Sequence, residues 1–578
     1  MNTPLSPEVP RKLNVFVRPV LAACLGIFFV SCAGQVFPPG GPIDTVPPRI
    51  IRTAPDSAAV RVRTQTVELE FSKYVDRRSV EESIFISPYV GELEFDWSGK
   101  AVRMMFPGTL RPDRTYVVNV GTDVRDLHSN RMASGFTLAF STGDSIDQGY
   151  IDGRVYDEKP EGVMIFAYSL AGIVPDTLDP ARTKPDYIMQ TGKGGFWTLS
   201  NLAFGTYRLY AIRDEYKNFL YDKGMDAYGV PDRDIIINTR IPRVQGVGFR
   251  LSKEDTIRPF LSNVRAIDRN HLQVRFSEPL DTLTFVTGGF NIIDTLTKRR
   301  IDPAIIWLLR STPALSGIEL SSPVDSATTY RLTVNHVYDP AGNGIDSAHS
   351  SFEFSGTNRP DTARPGFSVP ELRDSLRGVW IEQPVEVDFS KPILHEPLVH
   401  AIVLDDSARK SLDVETRWLN ATDVLLIPRK EFMSYAWYSL RIALDSVRDD
   451  RGNRPKDSTY VLRFQTIDLK TTGVIAGVVI DAEGDSAAGQ LYLNASSIDL
   501  TPQRKRTIRM DRPGPFSMNR LVEGKYVLDA FRDRDSSRDF SYGTVRPFAP
   551  SERFAVYPDT IKVRARWNVE GVRITIPE

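Results

Sequence analysis

The chain has 578 residues, of which 41% are hydrophobic, so it is long enough for several domains of about 100 to 150 residues each. Its 72 Lys and Arg residues balance 73 Asp and Glu residues, and this balance excludes a net field that would draw nucleic acid or an anionic surface. Glycine (39) and proline (40) are spread along the chain between short alternating apolar runs, a pattern that favours all-β modules.

A lipoprotein signal peptide is predicted at the start of the chain. Basic residues within positions 11–18 precede an apolar run at 19–30, and Cys32 follows that run. As a helix the run would measure roughly 18 Å, which is too short for a hydrocarbon core of about 30 Å. We therefore predict a signal peptide over 1–31, lipidation of Cys32 and a tether over 32–47. An ordinary secretory signal and an uncleaved anchor are the alternatives.

The chain's other cysteine, Cys24, taken alone makes a better lipidation motif with Leu21-Ala22-Ala23 before it. Arg18 lies only a few residues before Cys24, so the apolar run of that motif would be too short. If Cys32 carries the lipid, the mature chain holds no intramolecular disulfide and depends on hydrophobic cores for its stability. Two or three acyl chains, palmitate among them, would anchor Cys32 firmly, since a single chain already binds a membrane marginally.

An alternating strand that ends in Phe-Ser occurs three times, beginning at Val67, Leu272 and Val385. Apolar residues fill every second position of each copy, so one face of each strand is predicted to be buried. A strand that begins with Tyr, an Asp- and Asn-rich turn and a third strand follow each copy in the same order. The matched order predicts one fold used three times, and its length of about 100 residues suits an Ig-like sandwich.

A different unit occurs twice, with Gly-x-Tyr strands that begin at Gly205 and Gly524. Earlier strands at 153–157 and 477–481 complete each copy, and the pattern predicts a small antiparallel sandwich. The segment 563–569 alternates between apolar and polar residues and is predicted to be a last strand with its tryptophan pointing inward.

These residues resemble known families. The Phe-Ser unit, closed by Pro279 and Pro392 in its second and third copies, resembles the SbsA-type bacterial Ig-like domain first described in surface-layer proteins. The Gly-x-Tyr unit is similar to the prealbumin-like, carboxypeptidase-regulatory-like sandwich. The opening from Cys32 to Pro48 resembles the start of Ig-like lipoproteins from Bacteroidetes-type bacteria. The resemblance implies an envelope lipoprotein with no catalytic residues to carry over.

The predicted fold class is therefore all-β, with tandem β-sandwich modules, Ig-like and prealbumin-like, after a lipoprotein signal peptide. The predicted domains are Ig-like domain 1 (48–143), prealbumin-like sandwich 1 (147–252), Ig-like domain 2 (255–358), Ig-like domain 3 (361–467) and prealbumin-like sandwich 2 (471–578).

One loop has the spacing of a cation site. Asp533, Asp535, Ser537 and Asp539 place oxygen atoms at alternate positions, as loops that wrap Ca²⁺ do. Arginines interrupt the loop, and it lacks the central Gly and final Glu of an EF-hand, so a solvated turn is the alternative. The loop at 214–222 is similar in kind.

Other chemistry is not indicated by the sequence. The motifs of zinc proteases, serine hydrolases, P-loop proteins and dinucleotide-binding proteins are missing, and the histidines show no metal-ligand spacing. No cofactor is predicted apart from the candidate Ca²⁺. Tyr216, Tyr221 and Tyr228 lie in or beside a long loop, which is interpreted either as a ligand or partner surface or as a packed loop.

The sequence thus predicts a non-catalytic outer-membrane lipoprotein of the cell envelope that serves as a multidomain scaffold or binding protein. Its expected partners are the membrane, through the lipid, and envelope proteins or glycans, but not nucleic acid. A surface adhesin or accessory carbohydrate-binding lipoprotein is one alternative, and an enzyme with an undetected site is another. The resemblance implies that acidic residues after the lipidated cysteine accompany display on the cell surface. Residues 33–36 contain no acidic residue, so both a surface and a periplasmic orientation are kept as alternatives.

Overall fold

A computed structural model describes residues 44–309, 312–485, 487–501 and 503–578. The predicted signal peptide and Cys32 lie outside the described residues. Strands dominate the regular structure and form pairs of sheets in consecutive segments of the chain, which confirms the predicted all-β class of tandem sandwiches. We name these segments sandwich 1 (44–146), sandwich 2 (147–254), sandwich 3 (255–360), sandwich 4 (361–467) and sandwich 5 (468–578).

Sandwich 1 contains β1 (Ile50–Ala54), β2 (Thr66–Phe71), α1 (Arg77–Glu81), β3 (Ile84–Ser87), β4 (Glu94–Ser98), β5 (Ala101–Met105), β6 (Thr115–Val120) and β7 (Phe136–Ser141). One sheet has the order β1-β2-β5-β4 and the other the order β3-β6-β7. The Phe-Ser strand β2 buries Val67, Leu69 and Phe71, which confirms the predicted alternation. Asp76 caps α1, because its side chain accepts a hydrogen bond from the backbone N–H of Arg78.

Sandwich 2 contains β8 (Gly149–Tyr156), β9 (Met164–Ser169), β10 (Tyr187–Gln190), β11 (Phe196–Leu202), β12 (Gly205–Arg213), β13 (Ala227–Gly229), β14 (Ile235–Ile237), β15 (Arg243–Arg250) and β16 (Ser252–Lys253). Its sheets have the orders β11-β8-β15 and β10-β9-β12-β13-β16, and β14 also pairs with β12. The prediction of a purely antiparallel sandwich is wrong, since β15 returns parallel to β8.

Sandwich 3 contains β17 (Leu261–Ala266), β18 (His271–Phe276), β19 (Phe290–Asp294), β20 (Arg300–Ile301), β21 (Pro303–Leu309), β22 (Thr312–Leu320), β23 (Thr329–Val334) and β24 (Ser351–Ser355). Sandwich 4 contains β25 (Phe367–Ser368), β26 (Leu376–Val379), β27 (Val385–Phe389), α2 (His395–Ala401), β28 (Ile402–Asp406), β29 (Val414–Trp418), β30 (Asp423–Pro428), β31 (Trp437–Ile442) and β32 (Tyr460–Thr466). The sheet orders are β17-β18-β22-β21 with β20-β19-β23-β24 in sandwich 3, and β25-β27-β30-β29 with β26-β32-β31-β28 in sandwich 4.

A buried tyrosine marks the same corner in sandwiches 1, 3 and 4. The hydroxyls of Tyr116, Tyr330 and Tyr438 each accept a backbone N–H from the residue five positions earlier, at 2.8, 3.2 and 2.8 Å. Each ring also stacks on a phenylalanine of the last strand. The shared corner explains why the three Phe-Ser units follow one order in the sequence.

Sandwich 5 contains β33 (Thr472–Asp481), β34 (Gln490–Ser497), β35 (Lys505–Met510), β36 (Gly514–Val522), β37 (Gly524–Asp533), β38 (Phe554–Val556), β39 (Ile561–Val563) and β40 (Asn568–Ile576). Its sheets have the orders β36-β33-β40 and β35-β34-β37-β38, with β39 also paired to β37, and β40 is parallel to β33 as β15 is to β8. The Gly-x-Tyr residues Tyr207 and Tyr526 are buried, and each hydroxyl donates to the carbonyl four residues earlier.

The predicted inward position of Trp567 is wrong. Arg566 has a positive φ of 62°, so the strand predicted over 563–569 is broken by a turn between β39 and β40. Trp567 is 64% exposed at that turn.

Short 3₁₀ helices occupy Pro175–Thr177, Lys193–Gly195, Thr287–Gly289, Ser347–His349, Leu444–Ser446 and Leu469–Thr471. In the part of the chain that the structure describes, no helix has the length and apolar character needed to cross a bilayer.

Candidate functional site

The predicted calcium loop follows β37 in sandwich 5, and the structure brings two of its four residues together. Asp533 is buried, and its carboxylate oxygens accept the backbone N–H groups of Ser537 (3.2 Å) and Arg538 (3.0 Å). Asp535 accepts the N–H of Ser537 at 2.9 Å and the hydroxyl of Ser541 at 2.5 Å. These hydrogen bonds, that of Ser541 first, lower the pKa of Asp535 to about 2.

The side chains of the other two predicted ligands have further partners. The hydroxyl of Ser537 donates to the backbone oxygen of Asp539 at 2.8 Å. The Asp539 carboxylate is exposed and lies 3.6 Å from the ammonium of Lys505. Of the three predicted aspartates, Asp533 and Asp535 belong to one cluster of carboxylates and Asp539 does not.

The third member of that cluster, Glu552, was not found from the sequence. Carboxylate oxygens of Asp533, Asp535 and Glu552 lie within 4.8 Å of one another. Glu552 is buried, and it accepts the backbone N–H groups of Arg534 (2.6 Å) and Ser541 (3.1 Å). Burial raises the pKa of Glu552 despite these hydrogen bonds. It stands just before β38, too far along the chain for a local spacing rule to connect it with Asp533.

Sandwich 2 builds the same loop from other residues. Asp214 accepts the N–H groups of the fourth and fifth following residues, Asn218 (3.2 Å) and Phe219 (2.8 Å), as Asp533 does. The buried Asp226 accepts the backbone N–H groups of Glu215 and Asp222, which lie one and eight residues after Asp214. Glu552 accepts N–H groups at the same two spacings after Asp533. Three and five positions after Asp214 and after Asp533, the backbone has positive φ in both loops. These residues are Lys217 and Phe219 in sandwich 2, and Ser536 and Arg538 in sandwich 5.

We name each pair a loop clamp: Asp214 with Asp226, and Asp533 with Glu552. All the carboxylate oxygens of the two clamps accept backbone N–H groups. A carboxylate engaged in this way orders a tight loop, since it satisfies donors that would otherwise lack partners. These hydrogen bonds order the loop, and calcium at Asp533, Asp535, Ser537 and Asp539 stays a prediction, with a solvated turn as its alternative.

The three tyrosines of the long loop in sandwich 2 separate into two environments. Tyr221 and Tyr228 are buried and pack edge to face at 5.8 Å, as the packed-loop interpretation expects. Tyr216 is 61% exposed and lines a groove of about 890 Å³ between sandwiches 1 and 2. Tyr89 and Phe219 also line this groove, and the ammonium of Lys184 lies 4.7 Å from the ring centre of Tyr89. An open groove with aromatic faces and a cation suits a flat polar ligand.

Sandwiches 1 and 2 share a close interface beside this groove. The amide of Asn119 donates to the carbonyl of Ile188 at 2.9 Å, and the N–H of Ile188 donates to Ser87 at 3.0 Å. The rings of Phe85 and Phe219 meet edge to face at 5.5 Å. β6 is therefore buried on both faces, one of which covers the core of sandwich 1 and the other sandwich 2.

Comparison with known proteins places one part of this fold in a family. Residues 44–142, which make up almost all of sandwich 1, match the family described as bacterial Ig-like domain. No curated protein matches the chain. Sandwich 1 is thus similar to bacterial Ig-like domains, and the whole chain is an all-β tandem-sandwich protein that contains at least one such domain.

Several solved structures match the chain at low identity and with low TM-scores. The N-terminal part of the bacterial S-layer protein SbsC is 16% identical over 36% of this chain and 44% of its own, with a TM-score of 0.17. Domains 1–6 of the surface-layer protein SbsC are 9% identical over 90% of this chain and 66% of their own, with a TM-score of 0.15. The N-terminal four Ig domains of a Dscam1 isoform are 10% identical over 72% of this chain and 93% of their own, with a TM-score of 0.18.

Proposed function

We propose that this protein is a non-catalytic cell-envelope lipoprotein that acts as a multidomain β-sandwich scaffold. The observation that carries the proposal is a closed arrangement: sandwich 5 docks on sandwich 2, although sandwiches 3 and 4 lie between them in the chain. A scaffold needs domains with fixed relative positions, and a closed arrangement supplies them without a flexible linker.

The contact between sandwiches 2 and 5 is both polar and aromatic. Tyr228 donates its hydroxyl hydrogen to the carbonyl of Gly543 at 2.9 Å, and the guanidinium of Arg250 lies 3.1 Å from the carboxylate of Asp529. The ring centres of Tyr156 and Phe554 are 5.5 Å apart. These two rings belong to one apolar cluster that spans both sandwiches, so the two domains share part of a core.

Charge pairs hold the next junction in the arrangement. Glu382 of sandwich 4 lies 2.5 Å from Arg520 and 3.2 Å from Arg506 of sandwich 5. Arg520 also pairs with Glu431 at 3.2 Å. These exposed pairs orient sandwich 5 on sandwich 4 but stabilise the contact only weakly.

Gly248 allows a test of the scaffold. A Cβ at this position would lie 3.0 Å from the ring of Phe554 across the interface, so Gly248→Val would push sandwich 5 away. Gly288→Val is the matched control, because a Cβ there meets no atom within 4 Å. We expect a tagged chain to recover envelope proteins after crosslinking, and Gly248→Val to recover fewer. Equal recovery by both variants would leave the closed arrangement without a role in binding.

The lipid anchor at Cys32 is part of this proposal and has its own test. Labelled palmitate should enter the native chain and the Cys24→Ser variant, and it should be missing from Cys32→Ser. Protease treatment of whole cells then distinguishes a surface orientation from a periplasmic one. Label retained in Cys32→Ser would contradict the anchor. Bacteroidetes-type origin and the SbsA type of Ig-like domain belong to this same proposal and are supported by the opening segment and the Phe-Ser units.

A surface adhesin or accessory carbohydrate-binding lipoprotein is the second candidate, and the groove between sandwiches 1 and 2 favours it. Tyr89 and Tyr216 are exposed there and could stack on sugar rings. A glycan array with the native chain and with Tyr216→Ala tests this function. Binding that is lost in Tyr216→Ala but kept in Tyr542→Ala, an exposed tyrosine of sandwich 5, would place the ligand in the groove. Hydrolysis of a glycan or peptide pool would instead indicate an enzyme.

A further inference from the structure

Sandwiches 1 and 4 each enclose a lysine ammonium between two aspartates. In sandwich 1, Lys73 Nζ donates to Asp44 Oδ2 at 2.7 Å, to Asp126 Oδ2 at 3.2 Å and to the carbonyl of Val46 at 2.6 Å. We call this arrangement the clasp. It ties the segment that enters the sandwich to the Asp- and Asn-rich turn after β6, the strand that carries Tyr116.

The clasp of sandwich 4 has the same contacts. Lys391 Nζ lies 2.9 Å from Asp361 Oδ2 and 2.6 Å from Asp449 Oδ2, and it donates to the carbonyl of Ala363 at 3.4 Å. Both lysines directly follow the Phe-Ser pair of their strands. Burial opposes the charged form of Lys391, but the hydrogen bonds that its ammonium donates to Asp449 and Asp361 raise its pKa overall. In each clasp the lysine and its two aspartates carry a single net negative charge, and in sandwich 4 the exposed carboxylate of Asp450 also lies within 4.8 Å of those of Asp361 and Asp449.

Sandwich 3 retains the two aspartates and the asparagine that surround the lysine in the other clasps. Asn343 donates its side-chain amide to the carbonyl of Asp255 at 3.0 Å and to Asp339 Oδ2 at 2.9 Å. Asn130 and Asn453 make the same two kinds of contact in sandwiches 1 and 4. Asp255 also accepts the N–H of the residue two positions later at 3.0 Å, as Asp44 and Asp361 do. The two aspartates of sandwich 3 therefore occupy the positions of their counterparts.

The cation of the clasp is replaced in sandwich 3. Glu278 stands where Lys73 and Lys391 stand, directly after Phe-Ser. Carboxylate oxygens of Asp255, Glu278 and Asp339 lie within 4.8 Å of one another. Oε1 of Glu278 is buried and has no hydrogen-bond partner among the described residues. Burial and the neighbouring carboxylates of Asp255 and Asp339 raise the pKa of Glu278.

We propose that the Asp255, Glu278 and Asp339 carboxylates of sandwich 3 bind a divalent cation of the calcium class at the position where the sister clasps hold an ammonium. Three carboxylates with one such ion leave a single net negative charge, as in sandwiches 1 and 4. The donors are all hard oxygens, with no histidine or cysteine in the cluster, and this set suits Ca²⁺ rather than Zn²⁺. Exposure of Asp255 gives the ion an entry path and leaves room for water ligands.

The position of Asp255 gives this ion a structural role. Asp255 follows β16 of sandwich 2 by two residues, so it lies in the connector between sandwiches 2 and 3. An ion held jointly by Asp255 and Asp339 would fix this connector to the turn of sandwich 3. Calcium would then control the stiffness of one junction in the closed arrangement, whereas the lysine clasps work without a ligand.

Isothermal titration of CaCl₂ into the detergent-purified full chain, first stripped with EGTA, tests the proposal. We expect one site with a Kd of about 10⁻⁴ to 10⁻³ M, the range of extracellular calcium modules. Glu278→Lys rebuilds the ammonium clasp and should abolish this binding. Glu278→Gln should weaken it at least tenfold, and this variant keeps the test decisive if the lysine variant fails to fold.

Two matched measurements locate the ion. Asp535→Asn changes the calcium loop predicted in sandwich 5 and should leave the titration unchanged. Scanning calorimetry should show that calcium raises a melting transition of the native chain, while Glu278→Lys melts at the higher temperature without calcium. Binding that survives Glu278→Lys but is lost in Asp535→Asn would move the ion to sandwich 5 and overturn the proposal. No binding up to 10 mM calcium, well above that Kd range, would also overturn it and would leave a proton on Glu278 as the charge that balances the cluster.

Discussion

Sandwiches 2 and 5 carry the same charge pair in two environments. In sandwich 2, Arg213 lies 2.5 Å from Asp157, and their side chains are 28% and 26% exposed. In sandwich 5 the equivalent Arg532 lies 2.8 Å from Asp481, and their side chains are 3% and 0% exposed. Asp481 is the last residue of the first strand of sandwich 5, and Asp157 directly follows the first strand of sandwich 2. Each arginine lies at or near the end of the Gly-x-Tyr strand.

A second arginine accounts for the difference. Arg553 of sandwich 5 lies 2.8 Å from the other oxygen of Asp481 and also donates to the carbonyl of Pro577 near the end of β40. Asp481 is thus enclosed by two arginines and the chain end. The same pair of strands can therefore hold a partly exposed charge pair that contributes little to stability or a buried charge pair whose loss is costly.

The largest predicted effect comes from removing the buried carboxylate. Asp481→Ala leaves the buried Arg532 without its carboxylate partner and leaves Arg553 only the exposed Glu483, 3.0 Å away, so we expect it to destabilise sandwich 5 by about 3–5 kcal/mol. Asp157→Ala should destabilise sandwich 2 by at most about 1 kcal/mol, since its pair is partly solvated. Denaturant unfolding monitored by hydrogen exchange of each sandwich measures both. Equal losses of stability in the two variants would show that burial of the pair does not account for the difference between the sandwiches.

The loop clamps should show the opposite result, similar effects in both sandwiches. Asp533→Ala leaves the N–H of Arg538 without an acceptor, because Ser537 still donates to Asp535, and Asp214→Ala leaves the N–H groups of Asn218 and Phe219 without one. Each variant should cost about 1–3 kcal/mol. Amide exchange should become faster at Arg538 in the first variant and at Asn218 and Phe219 in the second. Asp533→Asn is the control and should have a smaller effect, because the amide retains one carbonyl oxygen.

The docked face between the two sandwiches gives a smaller effect. The guanidinium of Arg208 lies 3.7 Å from the ring centre of Phe548, so Phe548→Ala should weaken docking by about 1–2 kcal/mol. The matched control is Phe196→Ala, which removes an exposed ring 4.8 Å from Arg154 on sandwich 2. Crosslinking between the two sandwiches should fall in the first variant only. Unchanged crosslinking in Phe548→Ala would show that this ring is not needed for docking.

The smallest effect is a dependence on pH. Burial raises the pKa of Glu552 above its ordinary value of 4.5, so the folded state retains this proton at pH values where the unfolded chain has lost it. The contribution of Glu552 to stability is therefore present below pH 4.5 and lost as the pH rises through the folded-state pKa. Burial likewise raises the pKa of Asp226 above its ordinary value of 3.8. Glu552→Gln and Asp226→Asn should each flatten the stability profile of their own sandwich, and a slope that persists in both would exclude the clamps as its source.

Local patterns made the strands and turns predictable. The alternation around Val67, Leu272 and Val385 places one face on a core, and each strand appears where the Phe-Ser motif predicts it. The Asp and Asn residues of the turns hydrogen-bond within four positions, so their role is readable from spacing.

Long-range partners were not predictable in this way. Glu552 joins Asp533, and Asp44 joins Lys73, only after the chain has folded back, and sequence spacing has no rule for such returns. The parallel return of β15 and β40 and the turn at Trp567 were missed for a related reason, because alternation reports which residues face inward but not where a strand ends or which neighbour it pairs with.

Docking of sandwich 5 on sandwich 2 has a mechanical consequence. A pull applied between the two ends of the chain would pass from sandwich 2 to sandwich 5 through their shared contact and bypass residues 255–467. Sandwiches 3 and 4 would thus bear no tension until that contact ruptures, and they would then release stored length. The molecule would lengthen in steps, with a weak contact giving way before any sandwich is forced to unfold.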